Sequence, residues 1–598
     1  MDNYENGPEN MHRLRPPSNR RVRMPKRRKN NWTVLFITLF FLCLLALGVF
    51  AFVTYMPSFK TVDYHEYNGL DKGDIQLVLA DEVLKLDNYP VIQNGEIYLP
   101  VDFVKEHVDK YIYWDTETSK LTITTEHMVM RMKTDELTAY VNEQPLSLNL
   151  AVYNIGKTAY MPKVLLEELY DIKINYGDEY NIVYVDYSGD DKESAKTQPK
   201  NTYLRVSPDK KSPYVEKLPE GTEVVTYKTI GESNGYIKVR TQKGIVGYVR
   251  EKDLDGFTTI QGSVKEDIAP DYAEPVQIEG KINLAWDQIE TPEANDGDSS
   301  RTSYEGLDVL SPTWFKFDRE SYSGEMISIA DLGYVNRAHE NGYQVWPLIS
   351  DEEDGEVCAQ ILSDQNKREN AVKQILAYVS MFGLDGINID FERVREEDVE
   401  YFHQFLRELW PMLREQGVIL SVDTFIPSAW SMYYNREEIA KTADYVCVMT
   451  YDENTYGGTS GPNASIGFVE TGVVNMLNEV PKEKLIMGIP YYSRVWIEEE
   501  IDGEISYDIR SLGMDYAYRM FTENGAEFEW LPDMGCYYAE FDTVEDGRQL
   551  KYRTWLEDER SMALKLDLVE EYDVAGVAAW VLGLEKEEIW SLLEERLK

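Results

Sequence analysis

The chain has 598 residues, which predicts roughly three to five folded units rather than one ordinary domain. Its hydrophobic fraction of 43% and aromatic fraction of 12% exclude a globally disordered chain, because disordered sequences lack the apolar surface that a core needs. The formal net charge of −45 argues against a nucleic-acid partner, since binding to that polyanion depends on basic patches.

The N-terminal region has the pattern of a membrane anchor. Residues 1–31 carry nine Lys or Arg against three Asp or Glu, and the uncharged stretch 33–55 that follows is long enough to cross a ~30 Å hydrocarbon layer. The basic cluster predicts a cytoplasmic N-terminus. We expect a cytoplasmic tail over 1–31, a single membrane helix over 32–56 and an extracellular remainder at the cell membrane; a cleaved signal peptide is the alternative.

Cysteine and histidine give no support for a metal site or a disulfide scaffold. Cys43 lies in the apolar stretch, and Cys358, Cys447 and Cys536 have no metal-like spacing. The six histidines include no HExxH pair, the pattern of many zinc hydrolases. We therefore expect neither a metal nor a cofactor.

An internal repeat occupies the next part of the chain. Segments 95–124 and 156–186 align from a proline onward, so that Pro100 matches Pro162. Each copy predicts a short strand, a helix opened by the proline and a hairpin, and the two together predict one α+β unit over 70–187. The repeat resembles the copper amine oxidase N-terminal-like domain of bacterial surface proteins, which implies a spacer or wall-binding role.

A small all-β unit is predicted between two linkers. The polar stretch 188–200 and the acidic stretch 257–274 have linker composition, and 201–256 shows short strands separated by turn residues. The patterns KVR at 238–240 and GYV at 247–249 resemble the bacterial Src-homology-3-type domain. The resemblance implies a small barrel that binds cell-wall peptides or acts as a spacer.

Residues 275–598 alternate short apolar runs with amphipathic helical stretches. Eight such runs predict eight βα units, and hence a (β/α)8 TIM barrel with its active site at the C-terminal strand ends. The connection 497–556 is long, and we expect it to wall the cleft. The eight predicted strands are 281–286, 307–314, 343–349, 386–392, 418–425, 445–452, 485–492 and 577–583.

The fourth run carries polar side chains that a purely structural strand would not have. Asn388, Asp390 and Glu392 alternate with apolar residues, so all three should point into the barrel mouth. Burying carboxylates there is costly without partners. Mutual repulsion and partial burial raise the pKa of one carboxyl group, as a general acid at neutral pH requires.

The segment DGINIDFE at 385–392 resembles the DxxDxDxE signature of glycoside hydrolase family 18. The resemblance implies that Glu392 is the general acid and then the general base, and that Asp390 orients the substrate's acetamido group. It also implies a substrate-assisted, retaining mechanism, in which the acetamido oxygen attacks the sugar and Tyr451 hydrogen-bonds its carbonyl. Asn388 departs from the pattern, which has an acid there; we expect it to hydrogen-bond Asp390 and to alter the pH profile.

Two further motifs carry the same resemblance. Met449, Tyr451 and Asp452 match the motif of the sixth strand, and Trp580 matches the tryptophan that floors the sugar subsite. The predicted substrate-binding residues are therefore Asn388, Asp452, Met449 and Trp580, together with Trp286 at the end of the first strand. Other aromatic residues near strand ends are candidates for stacking on sugar rings, namely Trp314, Trp346, Tyr491, Tyr492 and Trp496.

The N-I-D-F-E form resembles the spore-cortex and wall-lytic branch of the family. This implies a substrate rich in N-acetylglucosamine, with peptidoglycan favoured over chitin because of the predicted membrane anchor. A chitin or chito-oligosaccharide hydrolase is one alternative, and a catalytically silent sugar-binding scaffold is another. Glu392 favours an enzyme, since silent members often replace it.

Overall fold

The computed structural model describes residues 32–70, 73–198, 200–228, 234–265, 272–456, 458–501 and 504–598. The predicted cytoplasmic tail lies outside these ranges. The first element is a helix over Trp32–Tyr55, which has no charged side chain and no buried residue. With 24 residues, about 36 Å, and a mean hydropathy of 2.9, it is the one described helix long and apolar enough to cross a membrane.

The predicted internal repeat is present as two copies of one fold. Pro100 and Pro162 each precede a helix of seven residues, Val101–His107 and Lys163–Leu169. The strands that end at these prolines pair antiparallel, and each helix leads into a two-stranded hairpin. The strands of this unit are Gln76–Leu79, Glu82–Val83, Val91–Gln93, Glu96–Pro100, Tyr113–Asp115, Lys120–Thr124, Val129–Lys133, Thr138–Val141, Gln144–Ser147, Tyr153–Ile155, Thr158–Pro162, Ile172–Gly177 and Ile182–Tyr187.

The small all-β unit begins earlier and ends later than its sequence pattern predicts. Lys192–Thr197 is a strand that pairs with Glu223–Tyr227 and with Leu254–Ile260, so the predicted linkers 188–200 and 257–274 were wrong at these positions. The strand was missed because its buried side chains are small or polar and give no apolar alternation. The other strands of this seven-stranded sheet are Thr202–Arg205, Tyr214–Leu218, Tyr236–Thr241 and Val246–Arg250.

The C-terminal region is a closed barrel of eight parallel strands, as predicted. The eighth strand pairs with both the seventh and the first, which closes the barrel. The strands are β1 Ile282–Asp287, β2 Val309–Pro312, β3 in two pieces Gln344–Val345 and Leu348–Ser350, β4 Gly386–Asp390, β5 Ile419–Phe425, β6 Tyr445–Met449, β7 Leu485–Pro490 and β8 Gly576–Trp580.

Helices surround the barrel and pack against it. In Val399–Arg414, Phe402, Phe405, Leu409 and Leu413 recur at helical spacing and lie in the core, and the repeat unit also packs on this helix, so residues 402–413 are all buried. The helices of this layer are Leu332–Glu340, Gln365–Phe382, Val399–Arg414, Arg436–Ala440, Ile466–Met476, Glu559–Tyr572 and Glu588–Leu597.

The long connection between β7 and β8 is a separate α+β layer with its own core. Its five-stranded antiparallel sheet packs on the helix Met514–Glu523, and Val495, Phe521 and Ala539 lie in that core. The layer begins at Tyr492, directly after β7, so the insertion is longer than the predicted 497–556. Its strands are Tyr492–Ile501, Glu504–Gly513, Glu529–Leu531, Cys536–Glu545 and Arg548–Leu556.

The repeat unit is joined to the outer helices of the barrel by a buried ion cluster. Glu408 accepts hydrogen bonds from Arg131 of the repeat unit, from Arg368 and from Gln404, each at 2.9 Å. Burial alone would raise the pKa of the Glu408 carboxyl, but the Arg368 and Arg131 guanidinium groups lower it to about 2. Because breaking a buried pair leaves an uncompensated charge, this cluster fixes how the two units dock.

Candidate active site

The polar residues of β4 lie where alternation predicts. Ile387 and Ile389 are buried in the core between strands and helices, while Asn388 and Asp390 occupy the opposite parity. Glu392 follows the strand and is half-buried. Gly386 begins the strand against the Trp346 ring, where an added Cβ would lie 2.5 Å from ring atoms, so glycine is required there.

The Glu392 carboxyl is suited to hold a proton near neutral pH. Burial, followed by the negative charges of Glu353, Asp351 and Asp452, raises its pKa to about 7, and the nearby Arg393 opposes this only in part. A carboxyl group with a pKa near the working pH is an efficient proton donor and acceptor. The position therefore has the protonation behaviour expected of a general acid.

Asp351 holds the loop that carries Glu392. Its buried carboxylate, just after β3, accepts the backbone N–H groups of Glu392 at 3.3 Å, Arg393 at 3.0 Å and Glu353 at 2.9 Å. Three such hydrogen bonds to one carboxylate fix the backbone of both loops. The same carboxylate supplies part of the negative field that raises the Glu392 pKa.

Asp390 ends β4 at the edge of an open cleft. Burial, then the charges of Asp423 and Glu392, raises the pKa of its carboxyl well above the usual range. Its Oδ1 atom is enclosed and has no hydrogen-bond partner among the described residues. Asp390 and Trp580 line a cavity of about 590 Å³, which is large enough for a sugar ring.

Asn388 and Trp286 lie beneath the site, so their predicted contact with substrate was wrong. Both are buried, and the Trp286 indole donates to Asn388 Oδ1 at 2.9 Å. The Asn388 amide donates in turn to Ser421 at 2.9 Å and to Asp423 Oδ1 at 2.8 Å. The interaction predicted between Asn388 and Asp390 is thus replaced by one with Asp423, because the inward-facing side chains of β5 fill the space beside Asn388.

The sixth-strand motif reaches the same mouth. Met449 is half-buried at the end of β6, and the half-buried Tyr451 packs edge-on against Tyr492 with ring centroids 6.4 Å apart. Burial raises the Tyr451 pKa well above its usual value, so its hydroxyl remains a hydrogen-bond donor. Asp452 accepts from the Tyr492 hydroxyl at 2.5 Å and pairs with the Arg494 guanidinium, both from the insertion.

Most of the other aromatic candidates are core residues rather than sugar platforms. Four of the side chains are 0–1% exposed and have no surface for a ligand: Trp314, Trp346, Tyr491 and Trp496. Tyr492 is 5% exposed and contributes its hydroxyl rather than its ring face. Trp580 is the exception, since it is half-buried at the cleft, 6.0 Å from the Trp286 ring centroid.

Sequence reasoning missed three residues of this site. Asp423 had a signal, because it is an acidic residue at the inward parity of β5 next to the catalytic strand. Asp351 and Arg494 had no such sequence signal. Asp351 acts from a loop and Arg494 from the insertion, and tertiary packing sets the path of both segments.

Comparison with known proteins agrees with this geometry. The sequence profile of Glycosyl hydrolases family 18 matches residues 279–585, about half of the chain. The chain belongs to this family. It is therefore a glycoside hydrolase with a TIM-barrel catalytic domain. The profile of the Copper amine oxidase N-terminal domain matches residues 78–185, within the repeat unit.

Relatives in this family include two proteins of Bacillus subtilis (strain 168). The uncharacterized glycosylase YvbX is 26% identical over 49% of this chain and 85% of its own length. The cortical fragment-lytic enzyme is 26% identical over 40% of this chain, and the match spans 55% of that enzyme. The crystal structure of the spore cortex-lytic enzyme SleL from Bacillus cereus aligns with a TM-score of 0.48 at 21% identity, covering 53% of this chain and 75% of that chain.

Proposed function

We propose that this protein is a membrane-anchored, extracellular glycoside hydrolase that cleaves peptidoglycan at N-acetylglucosaminyl linkages by a substrate-assisted, retaining mechanism. The observation that carries the proposal is Glu392, a half-buried carboxyl whose pKa is raised to about 7, next to Asp390 at the mouth of the barrel. Family membership supplies the reaction class, and the site residues supply the roles.

In the first step, protonated Glu392 donates its proton to the glycosidic oxygen as the bond to the anomeric carbon breaks. The carbonyl oxygen of the substrate's own 2-acetamido group attacks that carbon and forms a cyclic oxazolinium ion. In the second step, the Glu392 carboxylate takes a proton from a water molecule, whose oxygen opens the ring. Two inversions at one carbon retain the configuration, and Glu392 ends protonated.

Asp390 and Tyr451 position the acetamido group in this scheme. The Asp390 carboxylate accepts the acetamido N–H and balances the positive charge of the oxazolinium ion, while the Tyr451 hydroxyl donates to the acetamido oxygen. Trp580 presents an apolar face to the ring. Asp452, held by Tyr492 and Arg494, contributes a fixed acceptor at the rim of the cleft.

Peptidoglycan is favoured because of where the catalytic unit would be held. The helix Trp32–Tyr55, preceded by nine basic residues, suits a single span with the rest of the chain outside the cytoplasm. One B. subtilis relative is named for lysis of cortical fragments. We propose that the repeat unit and the small all-β unit hold the barrel within reach of the wall.

Digestion of purified cell-wall glycan tests this proposal. The full-length protein in detergent should release fragments with new reducing ends at N-acetylglucosamine, read by mass spectrometry. Chitin oligosaccharides, tested in parallel, should be cleaved less efficiently than wall glycan. If chitin oligosaccharides are the better substrate, the peptidoglycan assignment fails; if neither is cleaved, the enzymatic proposal fails.

A thiazoline analogue of N-acetylglucosamine tests the mechanism separately. It mimics the oxazolinium ion, so it should inhibit competitively and bind more tightly than the parent sugar, as transition-state and intermediate mimics do. Absence of any such preference would contradict attack by the acetamido group.

A further inference from the structure

The buried position 388 lacks the acid that the family signature has there. Asn388 has its amide committed to four partners, Trp286, Ser311, Ser421 and Asp423. An amide accepts hydrogen bonds but takes no proton from a carboxylic acid at ordinary pH. Asp390 therefore has no ionisable neighbour within its own strand on the interior side.

The neighbouring strand β5 supplies an ionisable neighbour for Asp390. β4 and β5 pair in parallel with a constant register, in which Asn388 lies opposite Ser421 and Ile389 opposite Val422. Continued by one residue, this register places Asp423 beside Asp390. Paired residues of adjacent strands face the same side about 4.8 Å apart, so both carboxyl groups point into the barrel.

Asp423 is buried in the barrel interior, where few groups can stabilise a negative charge on its carboxyl. It is 4% exposed, and its Oδ1 accepts from Asn388 at 2.8 Å. Across the sheet it pairs with Cys447, whose thiol also hydrogen-bonds it. Burial raises the Asp423 pKa to about 7, and burial together with the Asp423 charge raises that of Asp390.

The groups around this pair are acidic or neutral. Among the described residues, the cation that acts on Glu392 is Arg393, which is engaged with Glu353 at 3.0 Å, and Arg494 is paired with Asp452. Two buried carboxylates without a cation do not both ionise near neutral pH, because like charges at this separation repel strongly. The titratable groups that act on the Asp390 and Asp423 carboxyls or on their neighbours are Glu392, Asp351, Glu353, Asp452, Cys447 and Tyr451.

We propose that Asp423 replaces the missing acid of the signature by sharing one proton with Asp390 across the β4–β5 pair. The inference rests on the proposed function. In this arrangement the carboxylic O–H of one residue donates to the carboxylate of the other, and the pair carries one negative charge. When substrate binds, the proton stays on Asp423, and the Asp390 carboxylate is free to accept the acetamido N–H. Asp423 is thus a positioning residue that acts through Asp390.

A charge-exchange series tests this relation. The full-length wild type is compared with Asp423→Asn, Asn388→Asp and the double variant Asn388→Asp/Asp423→Asn, and kcat/KM is measured from pH 4 to 9. Asp444→Asn is the matched control, since Asp444 lies at the opposite end of the barrel, where it accepts from Leu420 N–H at 2.8 Å and from Trp410 at 3.1 Å.

The acid limb of the profile should move in opposite directions in the single variants. In wild type the acid limb reports protonation of the singly charged pair, whose charge the shared proton stabilises. Asp423→Asn removes that proton donor, so the limb should shift by about one pH unit toward alkaline pH. Asn388→Asp adds a third carboxyl that can hold the proton and should shift the limb toward acid. The double variant should return it to within about 0.3 units of wild type, and Asp444→Asn should leave it in place.

An infrared titration of the protonated-carboxyl band gives the same comparison without substrate. At pH 6 the band should weaken in Asp423→Asn, strengthen in Asn388→Asp and match wild type in the double variant. An unshifted acid limb in Asp423→Asn would overturn the proton-sharing role. So would an infrared band that the double variant Asn388→Asp/Asp423→Asn does not restore to wild-type strength. If the wild-type protein cleaves no substrate while the infrared series is as expected, the proposed function fails and the proton sharing stands.

Discussion

Buried carboxyl groups lie at two places in this barrel, and the charges that surround them are opposite in the two places. On the outer helices, Glu408 is enclosed by Arg131 and Arg368, and its pKa is lowered to about 2. At the barrel mouth, Asp390 and Asp423 have no arginine partner in the part of the chain that the structure describes, and their pKa values are raised.

This difference distinguishes a carboxylate with a structural role from carboxyl groups that can take part in proton transfer. A carboxylate matched by two guanidinium groups is permanently charged and serves docking, whereas carboxyl groups left without cations keep protons near neutral pH and can transfer them. The stability each contributes has the opposite dependence on pH. Glu408 stabilises the fold above its unfolded pKa and loses that effect as pH falls toward 2, while a raised group stabilises below its unfolded pKa and loses the effect as pH rises through 7.

The largest expected effect is on catalysis by Glu392→Gln. The amide keeps the shape but has no proton to give, so turnover should fall by about 10⁴-fold, the upper end for acid–base groups. Sugar binding, measured by calorimetry with an N-acetylglucosamine oligosaccharide, should remain close to wild type. Near-normal turnover in this variant would remove Glu392 from the mechanism.

Asp390→Asn should have the next largest effect. The amide carries no negative charge to balance the oxazolinium ion, so kcat should fall by about 10²- to 10³-fold. The defect should appear in kcat more than in KM, because the charge forms after the substrate has bound. An equal rise in KM with unchanged kcat would assign Asp390 to substrate binding instead.

Glu408→Gln should affect stability and leave catalysis unchanged. Buried Arg368 loses its counter-charge and Arg131 keeps only Glu143, which should lower the free energy of unfolding by about 3–5 kcal/mol at pH 7. The difference from wild type should shrink as pH falls from about 4.5 toward 2, where the wild-type carboxyl is itself protonated. A pH-independent loss, or a changed kcat in the folded variant, would contradict the separation of the two clusters.

Much of the architecture was predictable from the sequence because its signals are local. Proline-opened helices identified the repeat around Pro100 and Pro162, and eight apolar runs identified the barrel strands. The strand Lys192–Thr197 was missed because Ser, Ala and Thr fill its buried positions, a pattern that only its pairing partners explain.

The site was predictable where function lies within one strand and less so where strands meet. Alternation placed Asp390 and Glu392 correctly at the mouth. It did not reveal that Trp286 is a buried support for Asn388, because exposure at a strand end depends on the loops above it. Nor did it pair Asp390 with Asp423, since register between strands is a property of the closed barrel.

The pH dependence of kcat/KM for the wild-type protein tests the central claim most directly, because this ratio reports the pKa of the acid in the free enzyme. With the Glu392 pKa raised to about 7, kcat/KM should fall tenfold per unit as pH rises above that value. A plateau that extends to pH 9, or a fall already centred near the ordinary glutamate value of about 4.3, would contradict the account of Glu392 as the proton donor.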